Sequence, residues 1–255
     1  MKTGAITGYI DVAQLVLYAF WIFFAGLLIY LRREDKREGY PLESDRSGGR
    51  IRVQGFPAIP SPKTFKMSDG RTIQAPRAET DSRTIQARPV SNHLGAPLQP
   101  TGNPMLDAVG PAAYAERSNH PDRTFDGSAA IVPMRVAPGF TVASEDPDPR
   151  GWSVVGCDGQ TGGTVSDLWV DRAEPQIRYF EVQAGARRVL LPMTFSKIDA
   201  SKKCINVNAI LGSQFSTVPG TSSPDQVTLR EEDQITAYYA GGTLYATPAR
   251  SEPFI

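Results

Sequence analysis

Few side chains in this chain can titrate or react near neutral pH. They are two histidines, His93 and His120, and two cysteines, Cys157 and Cys204. A thiolate at Cys157, in the stretch Gly156-Cys157-Asp158-Gly159, would be a nucleophile if a base lay beside it. Neither histidine stands near a convincing nucleophile, and the stretch reads better as a buried cysteine at a strand–turn boundary. The cysteines lack C-x-x-C spacing, and neither histidine belongs to a metal-ligand pattern. Gly241-Gly242 invites a phosphate-loop reading, but at the end of a helix the dipole has the wrong sign for an anion. G-x-S-x-G, Walker, G-x-G-x-x-G and H-E-x-x-H motifs are all missing. The chain alone is therefore not expected to be an enzyme. No catalytic residue, metal ligand or cofactor ligand is assigned to it.

The element that organises everything else lies at the N-terminus. Residues 12–31, VAQLVLYAFWIFFAGLLIYL, carry no charge. At about 1.5 Å rise per residue, such a helix just crosses a hydrocarbon core of about 30 Å. The run is too long for a signal-peptide core, and Arg32-Arg33 follow it without a small-x-small cleavage site. Arg32, Arg33, Lys36 and Arg37 crowd its C-terminal flank, against Lys2 and the amino terminus on the other. By the positive-inside rule the N-terminus is expected in the periplasm and the large domain in the cytoplasm. Gln14, the one strongly polar residue of the span, either bonds a neighbouring helix or lies near the interface. The formal net charge is zero, which leaves no electrostatic footprint for nucleic acid.

Beyond the helix, residues 32–105 form a juxtamembrane segment and a Pro-rich arm holding Pro41, Pro57, Pro60, Pro62, Pro76, Pro89, Pro97 and Pro100. Proline disfavours long helices and central strands, so an extended arm laid on a partner is expected. Within it, KTFKMSDGRTIQA should form a hairpin turning at Asp69-Gly70. RTIQA recurs at 71–75 and 83–87, either incidentally or as two similar edge strands. Residues 106–130 connect this arm to a strand-rich domain over 131–248, and 249–255 form a tail. IVPMRV, TVSDLWVD, IRYFEVQ, RRVLLPMTF and CINVNAI read as short antiparallel strands. Turns are expected at 183–186 and 199–202. Thr228 with Glu231 fits a capping box opening a helix that Gly241-Gly242 should stop. The fold class expected is mixed and mainly β: one transmembrane helix, an extended arm, and a small antiparallel barrel with a C-terminal helix.

Several longer stretches resemble the H subunit of purple-bacterial photosynthetic reaction centres. They are REGYPLE (37–43), GNPMLDAVGPAAYAER (102–117), WVD…E…R (169–178), LLPM (190–193), VNA (207–209) and EEDQITAYYAGGTLYA (231–246). The resemblance implies a PRC-barrel cytoplasmic domain capping the L and M subunits over the quinones and non-haem iron. It implies that bacteriochlorophyll, bacteriopheophytin, quinones, iron and carotenoid sit on L and M rather than here. Partners implied are L and M, membrane lipids, and a cytochrome subunit or light-harvesting antenna in the same complex. A membrane-tethered PRC-barrel adaptor or assembly factor is the alternative.

The same resemblance carries a proton-transfer group onto Asp171, Glu174 and Arg178. Reducing a quinone inside protein requires protons to move through spaced titratable groups. An arginine between two acids would hold one ionised while like-charge repulsion raises the other's proton affinity. Some family members also carry an acid and two histidines as a proton entry point. Here the matching positions are Thr124, Asp126 and Ser128, so His120, Asp122 and Asp126 become the substitute entry group.

Overall fold

The computed structural model describes residues 4–7, 10–42, 44, 52–67, 70–77, 81–93 and 95–251. Asp69 of the expected turn, Glu43 of REGYPLE, Lys2 and residues 252–255 of the tail lie outside these. Chain contacts divide the molecule into two compact units, Met1–Ser82 and Arg83–Ile255.

In the first unit, helix α1 (Val12–Asp35) opens on Asp11, whose carboxylate accepts from the Gln14 amide at 2.8 Å. None of its side chains is buried. Gln14 donates to the Tyr18 hydroxyl one turn on, at 3.3 Å, which gives its amide a partner within the helix. The helix runs one turn past the apolar span, with Arg32 and Arg33 beside the negative end of its dipole.

The chain then folds back on the helix end. Lys36 is only 1% exposed. Its ammonium donates to the carbonyls of Gln54 (2.8 Å), Gly55 (3.0 Å) and Pro57 (2.7 Å), which uses all three of its hydrogens. It also lies 4.9 Å from the centre of the Tyr40 ring. Arg37 grips Glu34 through two parallel bonds of 2.8 and 2.9 Å and donates to the carbonyls of Ser61 and Ala75. Two cations that sequence patterning assigns to the membrane surface thus hold backbone of the arm. Strands β1 (Lys63–Lys66) and β2 (Thr72–Ala75) pair antiparallel as expected.

The second unit begins with a two-stranded ladder of β3 (Ala87–Pro89) and β4 (Leu98–Pro100). The second RTIQA copy is irregular up to Ala87, while the first forms β2, so the two are not equivalent strands. The main sheet contains β5 (Ile131–Pro133), β6 (Ser153–Val155), β7 (Thr161–Asp171), β8 (Gln176–Ala184), β9 (Arg187–Pro192), β10 (Lys197–Asp199) and β11 (Cys204–Asn206). Its order is β10-β11-β6-β7-β8-β9, with β5 on the far end of β7 and no ladder joining β9 to β10 among the described residues. β8 and β9 meet at Gly185-Ala186, where Gly185 takes φ +61°, a left-handed conformation that costs glycine little.

One pairing differs from expectation. β11 runs parallel to β6, because the chain makes the β7–β10 excursion before returning to β6's free edge. Helix α2 (Leu229–Tyr245) opens on the expected capping box. The Thr228 hydroxyl accepts from Glu231 N at 3.2 Å, and the Glu231 carboxylate accepts from Thr228 N at 2.8 Å.

Gly241 and Gly242 do not stop this helix; they lie inside it. A Cβ at Gly241 would fall 2.6 Å from Ala112 Cβ, and one at Gly242 would fall 2.5 Å from the Ala209 carbonyl oxygen. The glycines serve close packing, and Arg250 receives the helix end by donating to the Gly242 carbonyl at 2.9 Å. Leu168, Phe180, Leu191, Ile205, Ile210, Phe215, Ile235 and Tyr239 fill the core between sheet and helix. Cys204 is buried and Cys157 half-buried.

Candidate functional site

Asp171 ends β7 and shapes the turn into β8. Its Oδ1 accepts from Ala173 N at 2.9 Å and Glu174 N at 3.2 Å, the local pattern that makes aspartate a turn former. Arg172 holds the same turn against the lead-in to β5 by donating to the Ala129 carbonyl, while its own amide donates to Ala130 O. On β8, Arg178 reaches back to Asp171 with Nη1 4.0 Å from Oδ2. Glu174 stands exposed at the turn's tip and, among the described residues, accepts only from Gln176 Nε2, at 3.4 Å. The structure thus brings Asp171 and Arg178 together and leaves Glu174 on the same hairpin without an ion-pair partner among the described residues.

Among the described residues, no hydrogen bond joins the expected entry residues His120, Asp122 and Asp126 to one another. The His120 carbonyl accepts from Leu229 N at 3.0 Å, but its exposed ring makes no hydrogen bond among the described residues. Asp122 accepts from the Arg123 amide at 2.8 Å. Asp126 is held by the Thr124 hydroxyl and by the Ser128 hydroxyl at 2.8 Å. Those donors, Thr124 foremost, pull its pKa down to about 2.

Two acid sites escaped the sequence reading. One is a buried network in which Arg135 Nη1 lies 3.1 Å from Asp167 and 2.9 Å from Glu181, with Nη2 3.0 Å from Asp225. Glu181 also accepts from the Ser166 hydroxyl (2.8 Å) and Trp169 Nε1 (3.1 Å). Burial pushes the Glu181 carboxyl up, but bonds from Arg135, Ser166 and Trp169 outweigh it and leave its pKa below the ordinary value. The other is Glu232, in the first turns of α2, whose Oε2 accepts from the Tyr179 hydroxyl at 2.7 Å. Only the run WVD in β7 and the EED triplet hinted at these positions, and neither shows burial. Among the described residues, no three His, Cys, Asp or Glu side chains are grouped to hold a metal ion.

The description "Photosynthetic reaction centre, H-chain N-terminal region" matches residues 4–136, just over half of the chain. The chain belongs to the reaction-centre H-chain family. A second family description, the PRC-barrel domain, matches residues 142–214, which span β6 to β11. Membership makes this chain a photosynthetic reaction-centre subunit that works in a complex with other subunits. The apolar α1 fits a membrane-anchored protein.

Proposed function

We propose that this H-family chain caps the cytoplasmic face of the L and M subunits, steadies their quinone sites, and helps deliver protons to the secondary quinone. In this reading α1 places the N-terminus in the periplasm and the PRC-barrel unit in the cytoplasm. Pigments, quinones and non-haem iron belong to L and M, and the chain itself is non-catalytic. The observation that supports the proton role best is the β7–β8 turn. There a buried acid, Asp171, has an arginine at 4.0 Å, and an exposed acid, Glu174, lies three residues on. Acids of graded exposure along one hairpin offer successive positions for a proton moving between water and protein.

The test is flash-induced electron transfer in the intact complex carrying Glu174→Gln. Gln keeps the size of Glu and one acceptor oxygen but cannot ionise. The second, proton-coupled electron transfer to the quinone should slow by about a hundredfold, the low end of what a positioned proton-transfer group contributes. A rate unchanged from acid to alkaline pH would leave Glu174 a surface residue.

A further inference from the structure

Glu232 and Tyr179 meet at the floor of a cleft of about 390 Å³, walled by Arg117, Arg178, Asp233 and Thr236. Glu232 is 9% exposed. One of its carboxyl oxygens takes the Tyr179 hydroxyl at 2.7 Å, and the other accepts no hydrogen bond among the described residues. Burial and the neighbouring carboxyl push the Tyr179 phenol upward, so it remains a protonated donor. Unlike Glu181, Glu232 has no cation within 4.0 Å among the described residues. Arg117, on the connecting segment, is committed to Asp233 at 3.1 Å.

We propose that Glu232 is a proton-holding site: its free carboxyl oxygen exchanges a proton with water in this cleft, and the Tyr179 hydroxyl anchors the other oxygen in both states. No electrons move; the acid O–H breaks, the proton passes to water, and the reverse step restores it. Charged groups on several elements around the carboxyl enter the balance. Burial raises its pKa and is the largest effect. The Tyr179 bond, then the charges of Arg178 on β8 and Arg117 on the connecting segment, lower it. Asp122, in the loop after His120, raises it again. The N-terminal dipole of α2 also favours the carboxylate, by an amount that falls off within the first turn. Burial prevails, and the pKa lies above the ordinary carboxylate value. Arg178 also touches Asp171, so the cleft abuts the hairpin of the proposed proton route. The proposal rests on that route for its purpose but not for its chemistry.

Infrared difference titration of the intact complex in the dark tests it without any electron transfer. The wild type should show a protonated-carboxyl C=O band, shifted in D2O, that fades as pH rises through and above the ordinary carboxylate range. Glu232→Gln should lose that band. Tyr179→Phe removes a bond that favours the carboxylate, so the band should persist to higher pH, by about one pH unit. A band that survives Glu232→Gln overturns the proposal. So does a Tyr179→Phe complex whose band fades at the same or lower pH, and this second variant keeps the test decisive if the first fails to assemble. Failure of the Glu174 kinetics would leave the band untouched, so the two readings fail separately.

Discussion

Replacing Arg135 by Met removes the cation that two buried carboxylates share. Asp167 and Glu181 are 6% and 3% exposed, and Arg135 donates to them at 3.1 and 2.9 Å. Without it, Asp167 keeps, among the described residues, only backbone donors, from Leu168 at 2.8 Å and residue 135 at 3.3 Å. Glu181 keeps Ser166, Trp169 and a 3.5 Å approach from Arg188. The exposed pair with Asp225 adds little, about 0.5 kcal/mol at most. Stripping one partner from a buried pair costs about 3–5 kcal/mol. The arginine side chain is 32% exposed, so water partly replaces it and the lower end, about 3 kcal/mol, applies. For a unit of this size that lowers the melting temperature by roughly 6–12 °C.

The pH dependence has a definite sign. In the wild type the Glu181 pKa is depressed, so its stabilising contribution is present above the unfolded value of about 4.3 and lost as pH falls through the folded value. In Arg135→Met, burial dominates and the pKa rises, so the penalty is largest at neutral pH and relaxes as acid protonates the group. Urea unfolding of the full chain in detergent can be followed through Trp169, which is buried and bonded to Glu181. The gap between variant and wild type should narrow below about pH 5. A gap under about 0.5 kcal/mol at pH 7, or one that widens on acidification, refutes the assignment.

Two further substitutions probe the helix–sheet packing. Gly242→Ala gains helix propensity of about 1 kcal/mol but drives a methyl to 2.5 Å from the Ala209 carbonyl oxygen. A net loss of about 2 kcal/mol is expected in the same unfolding assay, and a stabilised variant would show that the packing yields. Tyr239→Phe removes a buried hydroxyl that has no hydrogen-bond partner among the described residues, while the ring keeps its 5.7 Å stack on Phe195. Stability should rise by about 1 kcal/mol, and a loss would mean that the hydroxyl has a hydrogen-bond partner.

What the sequence revealed was local. The Thr228–Glu231 capping box spans three residues and forms as expected, and so does the β8–β9 turn at Gly185. The apolar span was legible because its length alone decides the matter, although the helix extends to Asp35 on polar residues. Failures came where a distant partner decides. Gly241-Gly242 reads equally as a helix stop or a packing notch, and the difference lies in Ala112 and Ala209 across the unit. The parallel β6–β11 pair joins strands about fifty residues apart, beyond any local signal. Glu232 sits between Glu231 and Asp233 in what reads as a solvated first turn, and only the fold buries it against Tyr179. Lys36 reads as part of a membrane collar until the carbonyls of residues 54, 55 and 57 surround it.

The acids of the second unit sort by their nearest cation. Glu181 has guanidinium nitrogen at 2.9 Å and three further donors; its proton affinity is depressed and its charge is structural. Asp126 is lowered too, by the hydroxyls of Thr124 and Ser128 and by backbone amides, without a cation among its causes. Asp171 has its arginine at 4.0 Å, beyond hydrogen-bond reach, with one oxygen committed to the turn. Glu232 has a phenol in place of a cation, and its pKa rises. A proton-handling role therefore cannot be assigned by counting carboxylates, since the most heavily bonded ones are the least able to bind a proton at neutral pH. It belongs to acids that the fold buries while withholding a close positive charge. By that criterion the adjoining cleft, beside the β7–β8 turn, is a better place to propose proton exchange than the Arg135 network.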